Sequence, residues 1–227
     1  FRNKADKTLK YNPDILVVPK SESKEKIDFE QHLKLYYQSI WIGKNINKGL
    51  SVCSYNKELK ISINKTYNEE YSYVLPINVE FNEGKFLILA VRTQDTKNPY
   101  SSYIVQLYRA INYYKDLFDK KTLILGDWYS NVIWDHYKKE ANHTDVVNIL
   151  DNAGIESIYH KTRNIEQWKE GDNTLYMFRK KNKPYHIDYI FAGKYWLDRV
   201  NNISVGSYEG WIDYSDHMPL IVNFKSS

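Results

Sequence analysis

The central part of the sequence constrains the fold most, because it predicts a strand, a helix and a second strand in succession. The apolar run 86–91 predicts a buried strand, and the apolar run 123–125 predicts another. Between them, apolar side chains recur every three to four residues from Tyr103 to Phe118, which is the spacing of a helix with one buried face. This order predicts an α/β fold in which helices pack outside a sheet core.

Short strand-like runs account for most of the remaining chain. Helices are predicted over Phe1–Tyr11, near Phe29–Leu35 and over Thr144–Asn152, the last closed by Gly154. The four runs between residues 36 and 81 predict an antiparallel meander, and the whole pattern predicts two sheets with helices outside. The further predicted strands span 14–18, ended by Pro19, then 36–42, 50–55, 59–64, 73–81, 155–159, 174–179, 186–191, 203–205 and 218–224.

Length and composition are those of one large globular domain. The chain has 227 residues, and its net charge of +4 permits binding of a polyanion without requiring it. The 21 tyrosines and 6 tryptophans serve either as core or as platforms for bases and sugars. Cys53 is the single cysteine, so an internal disulfide is excluded. No apolar run has membrane-spanning length, so we expect no membrane segment and a cytoplasmic location.

Three aspartates stand at strand ends or in loops beside apolar sequence: Asp127, Asp188 and Asp216. Burying a carboxylate without a partner is costly, so acids that converge imply a metal, a cation or hydrogen-bond donors between them. Hard oxygen ligands beside a histidine suit magnesium or manganese in phosphoryl chemistry. His217 is the best candidate for a general base, because its ordinary pKa lies near neutrality. Its neighbour Ser215 is not a triad nucleophile, since adjacent residues cannot form the hydrogen-bonded line of a triad.

The other histidines are weaker candidates. His186 alternates with Asp188 along one predicted strand, so the two share a face and His186 joins the site candidates. His143 and His160 flank the helix over Thr144–Asn152 and are expected to be solvated or capping residues, with support of the site residues from behind or phosphate contact as the alternatives. The sequence around His32 and His136 gives neither of them a role.

Three blocks occur together in a familiar order: Leu-Gly-Asp-Trp-Tyr-Ser-Asn at 125–131, His-Ile-Asp-Tyr-Ile-Phe at 186–191 and Ser-Asp-His-Met-Pro-Leu at 215–220. With the earlier run Tyr11–Glu22, which contains Pro-Asp-Ile-Leu-Val-Val, the chain resembles the endonuclease/exonuclease/phosphatase superfamily. The DNase-like members of that family are magnesium-dependent phosphodiesterases. The resemblance implies a four-layered α/β sandwich, with two mostly antiparallel sheets packed face to face and helices outside.

The same resemblance implies roles for individual residues. The partner would be a nucleic acid or another phosphodiester, and the cofactor would be magnesium or manganese. Asp127 would orient or stabilise the attacking water, and His217 would be the acid/base at the phosphate. Asp216 would help bind the metal, and Asp188 would support the catalytic histidines or a second metal. Asn131 and Trp128 would line the groove.

Four departures from the family pattern separate this chain from its active members. The family begins with a strand that carries a Trp-Asn pair, and the likeness here starts after that strand. Lys20 stands where the family has its main metal-binding glutamate. Tyr129 replaces the asparagine two residues after the aspartate of the Gly-Asp motif, and Arg92 takes a position where DNase-like members carry a histidine, a place from which it would contact the substrate.

The lysine reverses the charge at the metal position, and at about 4 Å such a change is worth a few kcal/mol even when screened. We therefore expect weak or absent metal binding, with the Lys20 ammonium as a surrogate cation among the three aspartates. A metal displaced toward Glu22, two residues on, is the less favoured alternative.

Two functions remain open at the level of sequence. The first is a magnesium-dependent nuclease that hydrolyses nucleic-acid phosphodiester bonds. The second is a catalytically inactive relative that binds a nucleic acid or a protein partner, with residues such as Trp128, Trp134, Arg92 and Lys180 as contacts.

Overall fold

The computed structural model describes residues 4–23, 26, 36–82, 84–98, 103–137 and 139–225. The helix predicted near Phe29–Leu35 and His32 lie outside these described residues. The strands are β1 Ile15–Ser21, β2 Gln38–Asn45, β3 Lys48–Ser54, β4 Lys60–Ile63, β5 Val74–Phe81, β6 Gly84–Arg92, β7 Leu123–Asp127, β8 Ile155–Ser157, β9 Leu175–Tyr176, β10 Pro184–Tyr185, β11 Asp188–Gly193, β12 Val200–Val205 and β13 Leu220–Phe224.

Six α-helices accompany these strands in the described residues, together with four short 3₁₀ turns. The helices are α1 Ala5–Leu9, α2 Ile104–Tyr114, α3 His143–Asn152, α4 Ile158–Arg163, α5 Lys194–Leu197 and α6 Tyr208–Trp211, and the 3₁₀ turns are Glu69–Tyr71, Lys115–Leu117, Val132–Trp134 and Met177–Arg179. None of these helices has the length and hydrophobicity needed to cross a bilayer.

The largest sheet has six strands in the order β4-β5-β6-β7-β11-β8. Its β6 and β7 run parallel, as the intervening helix α2 requires, and its other pairs are antiparallel. Three smaller sheets complete the fold: β1-β3-β2, β12-β13 and β9-β10.

The six-stranded sheet is covered on both faces. Leu89 and Val91 of β6 face a core shared with α2 and α3, whereas Ile88 and Ala90 face a second core shared with β3 and β12. Successive residues of a strand point to opposite faces, so a central strand must be apolar throughout, which explains the unbroken run 86–91. The expected α/β sandwich of packed sheets with outer helices is confirmed.

Several predicted elements are wrong in detail. The expected meander does not form, because β3 pairs with β1 and β2, whereas β4 pairs with β5 in the other sheet. The strand predicted to Tyr159 ends at Ser157, and helix α4 follows. The strand predicted over 174–179 is reduced to β9, and His186 precedes β11 instead of lying in it.

Strand β1 continues beyond Pro19 to Ser21, although the sequence predicted that the proline would end it. The pairing with β3 shifts between Pro19 and Ser21, so Lys20 lies in a β-bulge. Proline is tolerated at bulges and at sheet edges, because no ladder hydrogen bond is lost there.

A cleft of about 860 Å³ separates β1 from β13. In the described part of the chain, β1 pairs with β3 alone and β13 pairs with β12 alone, so each has one edge without a strand partner. Apolar side chains of β1, β13 and the six-stranded sheet line the cleft, and the four predicted acids Glu22, Asp127, Asp188 and Asp216 are among its lining residues.

Candidate functional site

The candidate site is organised by the register of two neighbouring strands. Asp127 is the last residue of β7 and Asp188 is the first of β11, and the antiparallel ladder pairs them directly. Gly126, just before Asp127, has φ +139°, and a Cβ there would lie 2.0 Å from the carbonyl oxygen of Val91. Glycine is therefore required where the two strands bring the carboxylates side by side.

His217 reaches these acids from the loop before β13. Its Nδ1 lies 3.0 Å from Asp188 Oδ2, and its Nε2 lies 4.0 Å from Asp127 Oδ2. The backbone holds the loop in place through an isolated bridge to Leu175, and the Ser215 hydroxyl accepts from the His217 N–H at 3.1 Å. The carboxylate partner of His217 is thus Asp188, and the adjacent Asp216 does not pair with its ring.

Lys20 completes the group from β1. Its Nζ lies 3.2 Å from Asp127 Oδ2 and 3.4 Å from His217 Nε2. When His217 Nδ1–H donates to Asp188, the ring leaves Nε2 free to accept from this ammonium. The sequence-based expectation of a lysine among the aspartates agrees with this placement.

Burial and charge shape the protonation of the three groups. Burial, followed by the charge of Asp188, raises the pKa of Asp127, which is 1% exposed, and His217 and Lys20 oppose that rise. Burial alone would lower the pKa values of His217 and Lys20, but Asp188 acting on His217 and Asp127 acting on Lys20 outweigh it, so both are raised. Lys20 therefore stays positively charged beside the buried carboxylate at neutral pH.

Tyr129 forms one wall beside Lys20. Its backbone N–H donates to Asp127 Oδ1 at 3.1 Å, and its ring stacks on Tyr103 with 4.6 Å between centroids. The Lys20 ammonium lies 5.8 Å from the centre of the Tyr129 ring, within the range of a cation–π contact. Tyr129 has φ +47°, a conformation more usual for asparagine or glycine.

The remaining predicted acids lie nearby without joining the central group. Asp216 is exposed and lines the cleft, and its carbonyl oxygen accepts from the Tyr176 N–H at 2.8 Å. Glu22 also lines the cleft. Among the described residues, the group whose ligand atoms all lie within 4.8 Å of one another consists of Asp127, Asp188 and His217.

These three residues offer the oxygen and nitrogen ligands that suit a divalent ion. The position of Lys20 conflicts with such an ion. A magnesium ion bound at about 2.1 Å to both Asp127 and His217 would lie between their facing atoms, within roughly 3 Å of the lysine nitrogen. The donor set of this site fits a metal only where the Lys20 ammonium is absent.

Three residues that were predicted to line a substrate groove lie elsewhere. Trp128 is fully buried, with its ring stacked on Phe191, because the residue after Asp127 points into the core shared with α2 and α3. Asn131 is buried and donates to the carbonyl oxygen of His186 at 3.1 Å. Arg92 is 5% exposed and donates to the carbonyl oxygen of Lys48 at 2.9 Å. The expectation that Trp128, Asn131 and Arg92 line a substrate groove therefore fails in this conformation.

His186 belongs to a separate buried polar cluster behind the strand ends. It precedes β11, and its Nδ1 donates to the carbonyl oxygen of Asp172 at 2.8 Å. In the same cluster His160 Nε2 lies 3.0 Å from Glu170 Oε1. Burial lowers the pKa of His143 to about 4. The expectation that His143 and His160 are solvated is therefore wrong.

Two cations in the cleft were missed by the sequence analysis. Lys4, before α1, donates to the Ser215 hydroxyl at 3.2 Å, and Arg179, from the turn between β9 and β10, lines the same cleft. Burial lowers the pKa of Lys4, although Asp216 and Asp188 oppose the change. No local pattern marks either residue, because each reaches the site through long-range packing.

No protein-family model and no curated protein sequence matches the chain. Solved structures do match it over nearly its whole length. An AP endonuclease from Archaeoglobus fulgidus is similar with a TM-score of 0.69 and 17% identity, covering 99% of this chain and 95% of that one. The endonuclease domain of TRAS1, a telomere-specific non-LTR retrotransposon, has a TM-score of 0.65 and 13% identity, covering 99% and 91%.

A 3′ phosphatase from Neisseria, solved with a product DNA hairpin, has a TM-score of 0.68 and 14% identity, covering 98% of this chain and 93% of that one. At these identities the likeness establishes the architecture. The chain therefore shares the α/β sandwich fold of these two endonucleases and of the phosphatase.

Proposed function

We propose that the chain is a nuclease-like protein that binds nucleic-acid phosphodiesters at the Asp127–Asp188–His217 site. The observation that carries the proposal is that Lys4, Lys20 and Arg179 line the same cleft close enough for their charges to interact, with Lys20 3.4 Å from His217. Ammonium and guanidinium groups are the usual partners of phosphate oxygens. The structural neighbours named above, which include nucleases and a phosphatase crystallised with DNA, support the same ligand class.

The turn between β9 and β10, residues 177–183, extends this basic surface away from the site. Phe178 at its tip is 72% exposed, and both Phe178 and Arg179 have φ near +60°. Lys180 and Lys183 are exposed beside them. A basic turn with an exposed aromatic ring suits contacts with phosphates and with a base or sugar.

Binding to a labelled DNA duplex, DNA single strand and RNA, measured by fluorescence anisotropy over a range of salt, tests the proposal. We expect Lys180→Ala with Lys183→Ala to weaken binding about tenfold and to reduce the salt slope by about one or two. The matched control is Lys120→Ala with Lys194→Ala. These two exposed lysines flank the ends of β7 and β11 that lie away from Asp127 and Asp188. Equal losses in both double variants, or no binding by the native chain, would refute the proposal.

Hydrolysis of the bound phosphodiester is the second candidate function, and the intact His217–Asp188 pair favours it. In this function His217 moves the proton at the phosphate, Asp188 holds the ring orientation, and Asp127 orients water. Incubating the native chain with DNA and RNA in magnesium or manganese tests it, with His217→Ala as the inactive control. Substrates left intact by the native chain would exclude hydrolysis while leaving the binding proposal standing.

We also infer that residues 1–227 form one domain and that, in the described part of the chain, a further strand would fit in the cleft between β1 and β13. The two facing strand edges and the apolar lining support this inference. Lys4 lies at the site end of the cleft, and α1 leads from there to the start of β1. A strand joined ahead of α1 would therefore run parallel to β1, as crossover connections require.

A further inference from the structure

We propose that Lys20 is the resident cation of this site and that its ammonium excludes a divalent metal ion from the Asp127–His217 position. This inference concerns the same site as the proposed function and rests on it only for the identity of the phosphodiester ligand. It predicts that the native chain binds neither magnesium nor manganese there and that a single substitution at residue 20 restores a metal site.

The backbone directs Lys20 into the site. The bulge in β1 frees Lys20 from the ladder with β3, and its φ of +62° turns the side chain toward β7. A non-glycine residue adopts such a φ only at a cost in free energy, and it keeps this conformation where surrounding contacts hold it in place. The contacts with Asp127 and His217 are the ones that this conformation makes available.

The distances place the ammonium where a metal would compete with it. Asp127 Oδ2 and His217 Nε2 are 4.0 Å apart, so a magnesium or manganese ion that bound both would have to lie almost between them. Lys20 Nζ is 3.2 Å from the first atom and 3.4 Å from the second. The lysine nitrogen and the metal would then be neighbouring positive charges, which oppose simultaneous binding.

The charges around the site are already balanced without a metal. The carboxylates of Asp127 and Asp188 belong to the site, and Asp216 lies close enough to act on Lys20 through its charge. Lys20 pairs with the most buried of these, Asp127, and the side chain of Lys20 keeps 43% of its surface exposed. Lys4 and Arg179 add further positive charge at the same end of the cleft. A buried carboxylate needs a counter-charge, and here the chain itself provides one.

The substitution Lys20→Glu tests the inference, because it removes the ammonium and points a carboxylate at the same place. We expect manganese to raise the melting temperature of Lys20→Glu and to bind it at least about tenfold more tightly than it binds the native chain. Titration calorimetry with manganese chloride, and melting with and without a chelator, provide readouts that need no nuclease activity.

Lys20→Met is the matched control, since it removes the charge and keeps a long side chain without adding a ligand. We expect it to bind manganese more tightly than the native chain and more weakly than Lys20→Glu. Single-site manganese binding by the native chain that Asp127→Asn abolishes would overturn the proposal. A folded Lys20→Glu and a folded Lys20→Met that both bind no more manganese than the native chain would overturn it too.

The nucleic-acid binding assay separates this proposal from the proposed function. If the manganese measurements contradict the expectation while the native chain still binds DNA or RNA, only the proposed role of Lys20 is refuted. If Lys20→Glu binds manganese more tightly as expected but the native chain binds no nucleic acid, the proposed ligand is refuted. Lys20 then remains the resident cation of the site.

Discussion

Single residues determine the charge of the site. Lys20 faces Asp127, while Asp188 fixes the ring of His217 through Nδ1. The four groups are linked by these contacts from Lys20 to Asp188, so changing one of them alters the charge that its neighbours experience. The single lysine in β1 therefore determines which ligands Asp127 and Asp188 can accept.

His143 predicts a pH dependence of stability. Its pKa in the folded chain is about 4 because the ring is buried, whereas an unfolded histidine titrates near 6.5. A lowered folded pKa contributes stability that is present above about pH 6.5 and is lost as the pH falls toward 4. We expect a loss of roughly 3 kcal/mol across this window in urea unfolding.

The variant His143→Gln should remove most of this pH-dependent loss, although it can lower stability at every pH through changed packing. The exposed His136 gives the matched control, and His136→Gln should keep the native pH dependence. An unchanged slope between pH 6.5 and 4 in His143→Gln would contradict the assignment.

At the scale of elements, the strand pair β7 and β11 sets the spacing of the two central acids. The ladder fixes Asp127 opposite Asp188, and the parallel neighbour β6 packs its backbone against Gly126. The close approach of the Val91 carbonyl leaves no room for a side chain at position 126. The geometry of the acids therefore depends on one glycine in the strand that supplies Asp127.

Gly126→Ala is expected to destabilise the fold by at least about 2 kcal/mol, because its Cβ would meet the backbone of β6 and its φ is unfavourable for alanine. Urea unfolding measures this loss. Gly171→Ala is the control, since a Cβ there meets no atom within 4 Å. Similar stabilities of the two variants would show that β6 and β7 can separate without cost.

At the scale of the whole molecule, the six-stranded sheet is enclosed by helices on one face and by smaller sheets on the other. Among the described strands of the second layer, β1 and β13 are separated by the cleft. The candidate site lies at one end of this cleft, so a strand that filled the cleft would also change how much of the site is exposed to solvent.

A strand added in the cleft should stabilise the protein. We expect an alternating valine and threonine segment joined ahead of Phe1 to raise the melting temperature by roughly 2–4 °C for each kcal/mol gained. Hydrogen exchange of β1 and β13 amides should slow in parallel. A segment of the same length with two central prolines is the control, and equal melting of both extended chains would reject the added strand.

The sequence determined the α/β class, the central strand–helix–strand order and the candidates Asp127, Asp188, His217 and Lys20, because strand periodicity and short motifs are local properties of a chain. Tertiary structure decided the rest. It buried Trp128, Asn131 and Arg92, separated His186 from Asp188, and brought Lys4 and Arg179 into the cleft. These outcomes depend on strand register, on the bulge at Lys20 and on packing between residues far apart in sequence, which no local pattern encodes.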